Sequence, residues 1–365
     1  MMVGPSPKLY DLIIVGGGVV GLSILRAATL EGWNCALVEA ESDLVSHASG
    51  SNSGIACTGV DASPGTLERA LIRDSISQLR IFCRKTGVPM RPCGSLVCSW
   101  PWDEEGNGNL DHVLEESHSA GDTHASKLSS SEVRILEPNL SPGCTSAIHI
   151  PGEIVLDPWL YTIALAAHAR ENGAHVYTNF EFDPESSFFE DGVWTVAQKL
   201  SSTDDASPIG TLRAKAVVNA AGVNADDVQA KVLGDSSWKT RPRRGQYRLY
   251  KPNKNTKLLH PIQPIPTQRT KGIFIFSTLY GTIVVGPTAL DQDSKTDRNI
   301  DSLVARELDH HVKRVLPGID VESDFIGEYV GIRPGTDKRD YQIEIFPNRN
   351  WITVGGIRST GLTGT

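Results

Sequence analysis

The chain has 365 residues, enough for about two domains, and its 39% apolar and 21% charged residues match a soluble globular protein. A net charge of -8, from 43 acidic against 35 basic residues, argues against nucleic acid or an anionic membrane as partner, since each selects a basic surface. The cysteines (Cys35, Cys57, Cys83, Cys93, Cys98 and Cys144) form no CxxC and fit no zinc spacing, so free thiols in a reducing compartment and no bound metal are expected.

The first ten residues, MMVGPSPKLY, carry neither a signal-type apolar stretch nor an Arg-rich amphipathic pattern. The expectation is a soluble intracellular protein, cytoplasmic rather than mitochondrial. The longest apolar run, Leu12 to Leu25, is too short to span a bilayer and is interrupted by glycines.

Leu12 to Val15 (LIIV) reads as a strand buried on both faces. Val19 to about Leu30 suits a helix closed at Gly32, and Cys35 to Val38 is a second apolar strand ending at Glu39. Strand, glycine turn, helix and strand make a βαβ unit. Its turn, Gly16-Gly17-Gly18-Val19-Val20-Gly21, is a G-x-G-x-x-G. Gly16 makes the tight turn, Gly18 lets a pyrophosphate approach the backbone, and Gly21 lets the helix pack on the strand. Glu39 stands where a carboxylate accepts hydrogen bonds from ribose hydroxyls, which disfavours a 2′-phosphate and hence NADP. A dinucleotide is expected here.

A polar stretch, SHASGSNSG (46 to 54), follows. The next helix is predicted to start at a Ser63 cap with Pro64 in its first turn and to end at Gly87. Residues 103 to 131 read as a solvated helix and loop, with His112, His118 and His124 scattered rather than clustered as ligands. Asp157-Pro158 opens a helix closed by Gly173. Ala174 to Phe182 and Val193 to Leu200 are predicted strands, SSTDDASPIG (201 to 210) an exposed connector, and Ala214 to Asn219 a strand running into Ala220, Ala221 and Gly222. Proline-rich strands fill Arg241 to Pro287, a helix spans about Asp301 to Leu316, and the strand Trp351 to Val354 enters the ending GGIRSTGLTGT. The basic stretch Lys239 to Arg248 reads as a solvated turn, and no repeat of fixed period is present.

Only one G-x-G-x-x-G occurs, since Gly106-Asn107-Gly108 has Asp111 at the third position and no preceding strand. A nicotinamide dehydrogenase completes its nucleotide domain early in the chain, and a flavin reductase that also binds NAD typically carries two such motifs. Glycine-rich strand ends instead return at Ala220 to Gly222 and at Gly355 to Gly364. That pattern favours tightly held FAD, a long cofactor reached by backbone from distant segments, reduced by substrate and reoxidised by something other than NAD.

The segments IIVGGGVVGLSIL with Glu39, HASGSNSGIACTG (47 to 59), GEIVLDPWLYTIALA (152 to 166), VVNAAGVNADDV (217 to 228), RRGQYRLY (243 to 250), IVVGPTA (283 to 289), GIRPGTD (331 to 337) and ITVGGIRSTGLT together resemble one family. It is the FAD-dependent oxidoreductases of the D-amino-acid-oxidase type, in the branch holding L-2-hydroxyglutarate dehydrogenase and the anaerobic-type glycerol-3-phosphate dehydrogenases. The resemblance spans nearly the whole chain. It implies an α/β fold with a discontinuous Rossmann-type FAD-binding domain (residues 1–88, 150–235 and 325–365) and a strand-rich α+β substrate domain (89–149 and 236–324).

In that family the segment matching Ser49 to Gly54 lies along FAD, which makes Ser49, Asn52, Ser53 and Gly54 cofactor candidates beside Gly16, Gly18, Gly21, Glu39, Ala220 and Gly222. Gly355, Gly356 and Gly361 match the turn that faces the flavin. Arg333 and Arg358 fall where such enzymes place an arginine close to flavin or substrate, and a planar guanidinium suits an acid substrate. Arg333 has the alternative of pairing with a structural acid, and Arg358 that of a flavin or backbone contact. Gln246 and Tyr247 are expected to look toward the flavin.

Two departures stand out. Relatives in this branch carry a histidine where this chain has Cys57, which is either a base of depressed pKa or a packed, inert thiol; His47 and His149 are the nearby histidines. The resemblance also implies a helix after the terminal turn, pointing at the cofactor, whereas the sequence stops at Thr365. A truncated isoform, an incomplete gene model and a weak flavin binder all fit that departure.

The implied reaction is hydride transfer to flavin from a small 2-hydroxy acid, L-2-hydroxyglutarate-like, or from glycerol 3-phosphate. The alternatives are an amine or amino-acid oxidase of the same fold and a non-catalytic flavin-binding remnant. Oxygen, a quinone and an electron-transfer protein are all compatible as electron acceptor.

Overall fold

The computed structural model describes residues 8–60, 62–103, 109–199, 210–266 and 272–365. The tip of the connector after Leu200 and the Gly106-Asn107-Gly108 near-match lie outside these residues.

Leu9–Val15 is the centre of an eight-stranded sheet. It pairs in parallel with Cys35–Val38 on one side and Thr211–Asn219 on the other. Thr211–Asn219 divides its second edge: its first half pairs antiparallel with Val193–Gln198, and Val217 to Asn219 pair in parallel with Trp351 to Thr353 of the terminal strand. Both faces of the sheet are covered, as an uninterrupted apolar strand requires. Ile14, Leu22, Leu25, Leu37 and Leu165 fill one face, and Tyr10, Ile13, Trp194 and Trp351 fill the other.

Among the described residues the helices are α1 (Val19–Leu30), α2 (Leu67–Thr86), α3 (Leu110–Ser119), α4 (Ser130–Leu136), α5 (Pro158–Glu171), α6 (Ala225–Leu233) and α7 (Ser302–Val315). Helices α1, α2 and α5 contribute to the first core. α5 starts where its sequence dictates, with the Asp157 carboxylate accepting from the Trp159 and Leu160 N–H groups and Pro158 in the first turn. α7 is capped in the same way by Asp301. α2 differs from expectation. Its cap is Thr66, whose hydroxyl accepts from the Arg69 N–H, so the helix begins three residues after Ser63-Pro64.

A second, nine-stranded sheet carries Thr240–Tyr250 near one edge. That strand pairs antiparallel with Phe325–Thr336 from Thr240↔Thr336 to Tyr250↔Phe325, and with Ile283–Gly286 on its other side. α7 buries Leu308, Val312 and Val315 against this sheet with Tyr250, Ile262 and Ile283. Strand pairing departs from the expected grouping at Phe325–Thr336, whose long ladder to Thr240–Tyr250 holds it with the antiparallel strands rather than with the nucleotide half, and at Met90–Arg91, which pairs with Ile154–Leu156. A small three-stranded sheet of Ile55–Ala56, Ile154–Leu156 and Met90–Arg91 forms from the segments that link the two halves.

Candidate functional site

The glycine turn has the shape that its sequence requires. Gly16 sits at φ +111°, and a Cβ there would lie 2.5 Å from the Ala220 carbonyl oxygen. A Cβ on Gly21 would lie 2.0 Å from the Gly16 oxygen, so only glycine lets α1 close on the first strand. Helix α1 has Gly18 as its N-cap, a residue with no side chain of its own to cap that end, and the positive end of the helix dipole faces the turn. Glu39 is nearly buried at the carboxyl end of the second strand. Its Oε2 accepts the Gly17 N–H at 2.6 Å and its Oε1 the Glu41 N–H at 2.9 Å. Ser49 Oγ accepts from the Val19 N–H at 3.0 Å, bringing the following loop onto the same helix end.

The loop from 46 to 54 also meets the terminal turn. Asn52 Nδ2 donates to the Ser359 carbonyl at 2.9 Å, and Asn52 Oδ1 accepts from the Gly54 N–H at 3.0 Å. A Cβ on Gly54 would lie 2.3 Å from the Leu156 oxygen, and Trp159 at the start of α5 donates its indole N–H to the Gly50 carbonyl at 2.9 Å. From the antiparallel sheet, Gly331 approaches so closely that a Cβ would lie 2.4 Å from Ser51 Oγ. Segments expected to share a site are therefore assembled around this loop: Gly16 to Gly21, Glu39, Ser49 to Gly54, Ala220 and the turn after Gly356. Ser53 is half-buried within the loop, and Gly222 adopts φ +57° just beyond Ala220. Two glycines of the terminal segment have a packing reason of their own. Gly355 lies under the Trp238 indole, where a Cβ would come within 2.3 Å, and Gly361 lies against Ile357.

The two candidate arginines part company. Arg333 lies beside Tyr247, and a Cβ on Gly245 would come within 3.0 Å of its Nη2. Its guanidinium donates to the carbonyls of Arg243 and Arg244, each at 3.4 Å, and to that of Thr288. Burial lowers its pKa, with Tyr247 and the Asp291 carboxylate opposing the shift and Arg243 and Arg358 adding to it. Tyr247 stacks on Tyr329 at 4.5 Å between ring centres, and burial pushes its phenol up to about 12. Arg358 instead pairs with Glu68 of α2, a carboxylate 2% exposed. Glu68 also accepts the Thr360 hydroxyl at 2.6 Å, and that hydroxyl is bonded to the Tyr341 phenol at 2.8 Å.

Gln246 does not look toward the cofactor segments. Its amide bonds both ways with the Asp301 backbone, accepting from its N–H at 3.0 Å and donating to its carbonyl at 3.1 Å. Cys57 is buried in a small cluster with Ala62 and Ile72. His47 donates to or accepts from groups at the rim, the Glu41 carboxylate at 2.9 Å and Arg298. His149 lies in the antiparallel sheet against His260, and burial lowers its pKa. Among the described residues no group of three or more His, Cys, Asp or Glu side chains is placed to hold a metal ion.

The family described as FAD dependent oxidoreductase (DAO) matches residues 11–365. This chain belongs to that family. Its cofactor is FAD, and it is an oxidoreductase. It is 30% identical over 357 residues to a glycerol 3-phosphate dehydrogenase of Caloramator mitchellensis, across 97% of this chain and 71% of that protein. It is 28% identical over 288 residues to the mitochondrial L-2-hydroxyglutarate dehydrogenase of Caenorhabditis elegans, across 78% of this chain and 64% of that one. The reduced, FAD-bound L-α-glycerophosphate oxidase of Mycoplasma pneumoniae superposes with a TM-score of 0.84 at 25% identity, across 98% of this chain and 92% of that one.

The DAO framework fits the residues present. The turn has no room for a side chain at Gly16 or Gly21, and the Glu39 carboxylate lies against it at the Gly17 N–H. Tyr329, Thr288, Glu68, Thr360 and Tyr341 enter the picture only with the fold. Tyr329 had a faint signal, two residues before Gly331 on an alternating strand; Glu68 had none. Among the described residues no helix is long and apolar enough to cross a membrane.

Proposed function

We propose that this chain oxidises the secondary carbinol of a small anion, glycerol 3-phosphate or a short 2-hydroxy acid such as L-2-hydroxyglutarate, to the ketone. The observation that carries the reading is the environment of Arg333. Its hydrogen bonds, among the described residues, go to three carbonyl oxygens and to no carboxylate. A guanidinium largely withdrawn from water with no carboxylate bonded to it as counter-charge is costly, and Asp291, which acts on it through space, is already paired with Arg243. A phosphate or carboxylate of the substrate would supply that charge through a planar, two-pronged contact. Glycerol 3-phosphate and L-2-hydroxyglutarate, named in the relatives, both place an anionic group close to a secondary alcohol.

When bound, FAD supplies the acceptor for the hydride that leaves the carbinol carbon. The protein's own groups do the rest. The backbone of Gly16 to Gly21 and the α1 N-terminus hold the pyrophosphate, Glu39 holds the ribose, and the loop Ser49 to Gly54 lies along the cofactor. Arg333 orients the anion. The Tyr247–Tyr329 stack walls the site and excludes water from the reacting centre. Cys57, buried with Ala62 and Ile72, occupies the sequence position at which the family resemblance implies a histidine, and the substrate half comprises the antiparallel sheet.

The test is the visible spectrum of the FAD-loaded protein during anaerobic addition of substrate. Glycerol 3-phosphate or L-2-hydroxyglutarate is expected to bleach the flavin bands, and glycerol at the same concentration is not. Equal bleaching by glycerol removes the anion from the reading, and bleaching by glycine or sarcosine alone makes the chain an amine oxidase. Arg333→Met is expected to raise KM for the anionic substrate about a hundredfold, as loss of a buried charge contact does.

A further inference from the structure

Residues 292–300 lead from the antiparallel sheet to α7 without a helix or strand of their own, yet their path is fixed. The Gln292 N–H donates to the Pro242 carbonyl at 3.0 Å, rooting the segment on the strand Thr240–Tyr250. The Gln292 amide donates to the Ser294 and Asp297 carbonyls at 2.6 and 3.1 Å. Ser294 Oγ accepts from the Thr296 and Asp297 N–H groups at 3.2 and 2.9 Å. From this preformed turn two cations, Lys295 and Arg298, reach the nucleotide half at separate places. We propose that both are positioning residues of the cofactor site, and that the segment is a strap which ties together the two flanks of the glycine turn and sets how long FAD stays bound.

The first foot of the strap is on α6. Lys295 Nζ bridges the Asp226 and Asp227 carboxylates, 2.7 Å from each. Asp226 lies in the first turn of α6 and is 3% exposed. It also accepts the hydroxyl and the N–H of Thr240 at 2.7 and 3.0 Å. Burial would raise its pKa, but Lys295 and Thr240 outweigh that and keep it ionised. One residue earlier, the Ala225 carbonyl accepts from the Asn219 amide at 2.8 Å, and Asn219 Oδ1 accepts from the Ala221 N–H at 3.2 Å. The strap is thereby coupled to Ala220, whose carbonyl oxygen fills the space beside Gly16. The second foot is on the loop 46–54, where Arg298 donates to His47 Nδ1. A guanidinium cannot accept, so Nδ1 carries the lone pair and the Nε2 proton goes to Glu41 Oε1 at 2.9 Å. The Glu41 N–H donates in turn to Glu39, and two residues beyond His47 the Ser49 hydroxyl holds the Val19 N–H.

The two feet are unequal. The Lys295 side chain is 19% and that of Asp226 4% exposed, so losing the lysine leaves a buried carboxylate short of its counter-charge. The Arg298–His47–Glu41 contact is exposed at the rim and contributes less. Loosening either end frees a flank of a turn whose N–H groups must converge on one pyrophosphate. The loss falls on the bound state, where both flanks are needed at once. A strap that served only to join the two halves would instead weaken the folded chain with or without cofactor.

The experiment is release of FAD from the loaded protein, read as flavin retained after timed ultrafiltration, beside denaturant unfolding of the apoprotein. Lys295→Met is expected to speed release about tenfold, as truncating one partner of a buried charge pair does. Arg298→Met is expected to speed it about threefold, the scale of an exposed contact. Lys295→Arg keeps a charge able to span two carboxylates and is expected to stay within about twofold of the parent. The apoprotein unfolding constant of Lys295→Met is expected to change by less than about threefold, since Asp226 keeps its bonds to Thr240. The inference is overturned if either methionine variant releases FAD at the parent rate, or if Lys295→Arg is as fast as Lys295→Met. It is overturned too if the Lys295→Met unfolding constant rises as much as its release rate, which makes the contact a staple of the fold. A parent that fails to retain FAD also overturns it, because no residence remains for a strap to set.

Discussion

A Cβ on Gly21 would lie 2.0 Å from the Gly16 carbonyl oxygen, inside any van der Waals limit, and that oxygen belongs to the turn proposed to hold the cofactor phosphates. The smallest substitution therefore pushes backbone against backbone, with no flexible side chain to yield. Gly21→Ala is expected to cost about 1–3 kcal/mol of stability, the usual range for an overpacked core position, and to abolish FAD retention through gel filtration. A denaturant titration of apoprotein and the flavin absorbance of the eluted protein check the two halves separately. This residue was legible in the sequence because its constraint is local, set by a motif of six consecutive residues. The Arg358–Glu68 pair was not, because its members stand 290 positions apart and nothing in either neighbourhood names the other. For a charged side chain, residue type announces what it can bind; only the fold decides what it does bind.

Elements with their own end signals were the readable ones. Helices α1, α5 and α7 begin and end within a residue or so of where Gly18, Asp157-Pro158 and Asp301 set them. The segment Ala174 to Phe182 misled for the opposite reason. It reads as one apolar strand, yet Asn179 at φ +54° breaks it, and His175–Tyr177 and Phe182–Glu190 lie at opposite edges of the sheet. Periodicity reports which residues are buried but not which neighbour buries them. Helix α7 carries a pH consequence. His311, half-buried beside α7's Arg314 and His310, is pushed from its ordinary 6.5 down to about 4, first by burial and then by Arg314, against a backbone hydrogen bond to Ile273. The folded chain therefore refuses a proton that the unfolded chain accepts between about pH 6.5 and 4. Stability is expected to fall across that window as pH drops, by on the order of 2 kcal/mol from this group. Urea midpoints at pH 7 and pH 5 should separate more in the parent than in His311→Gln; identical separations would remove His311 as the cause.

At the scale of the whole molecule, the cofactor cradle has no contiguous existence. Gly16 to Gly21, Glu39, the loop 49 to 54, Ala220 and the terminal turn meet only because the terminal strand pairs in parallel with Thr211–Asn219, which pairs with Leu9–Val15. The unfolded chain offers FAD none of this, so the ligand binds the native state alone and must stabilise it by mass action. At a free FAD concentration about a hundred times Kd the gain is about 2.7 kcal/mol. For a chain of this size that raises the unfolding temperature by roughly 2–5 °C, continuing to climb with the logarithm of FAD concentration. A structural ornament bound at the surface of one segment would saturate without that global dependence. Scanning fluorimetry of the intrinsic tryptophans suits the test, because Trp194 and Trp351 lie together in the core behind the parallel sheet, 5.1 Å between ring centres. Gly21→Ala should remove the concentration dependence while keeping a cooperative transition. An unfolding temperature that ignores FAD in the parent would mean that the cradle, though assembled, does not hold the cofactor.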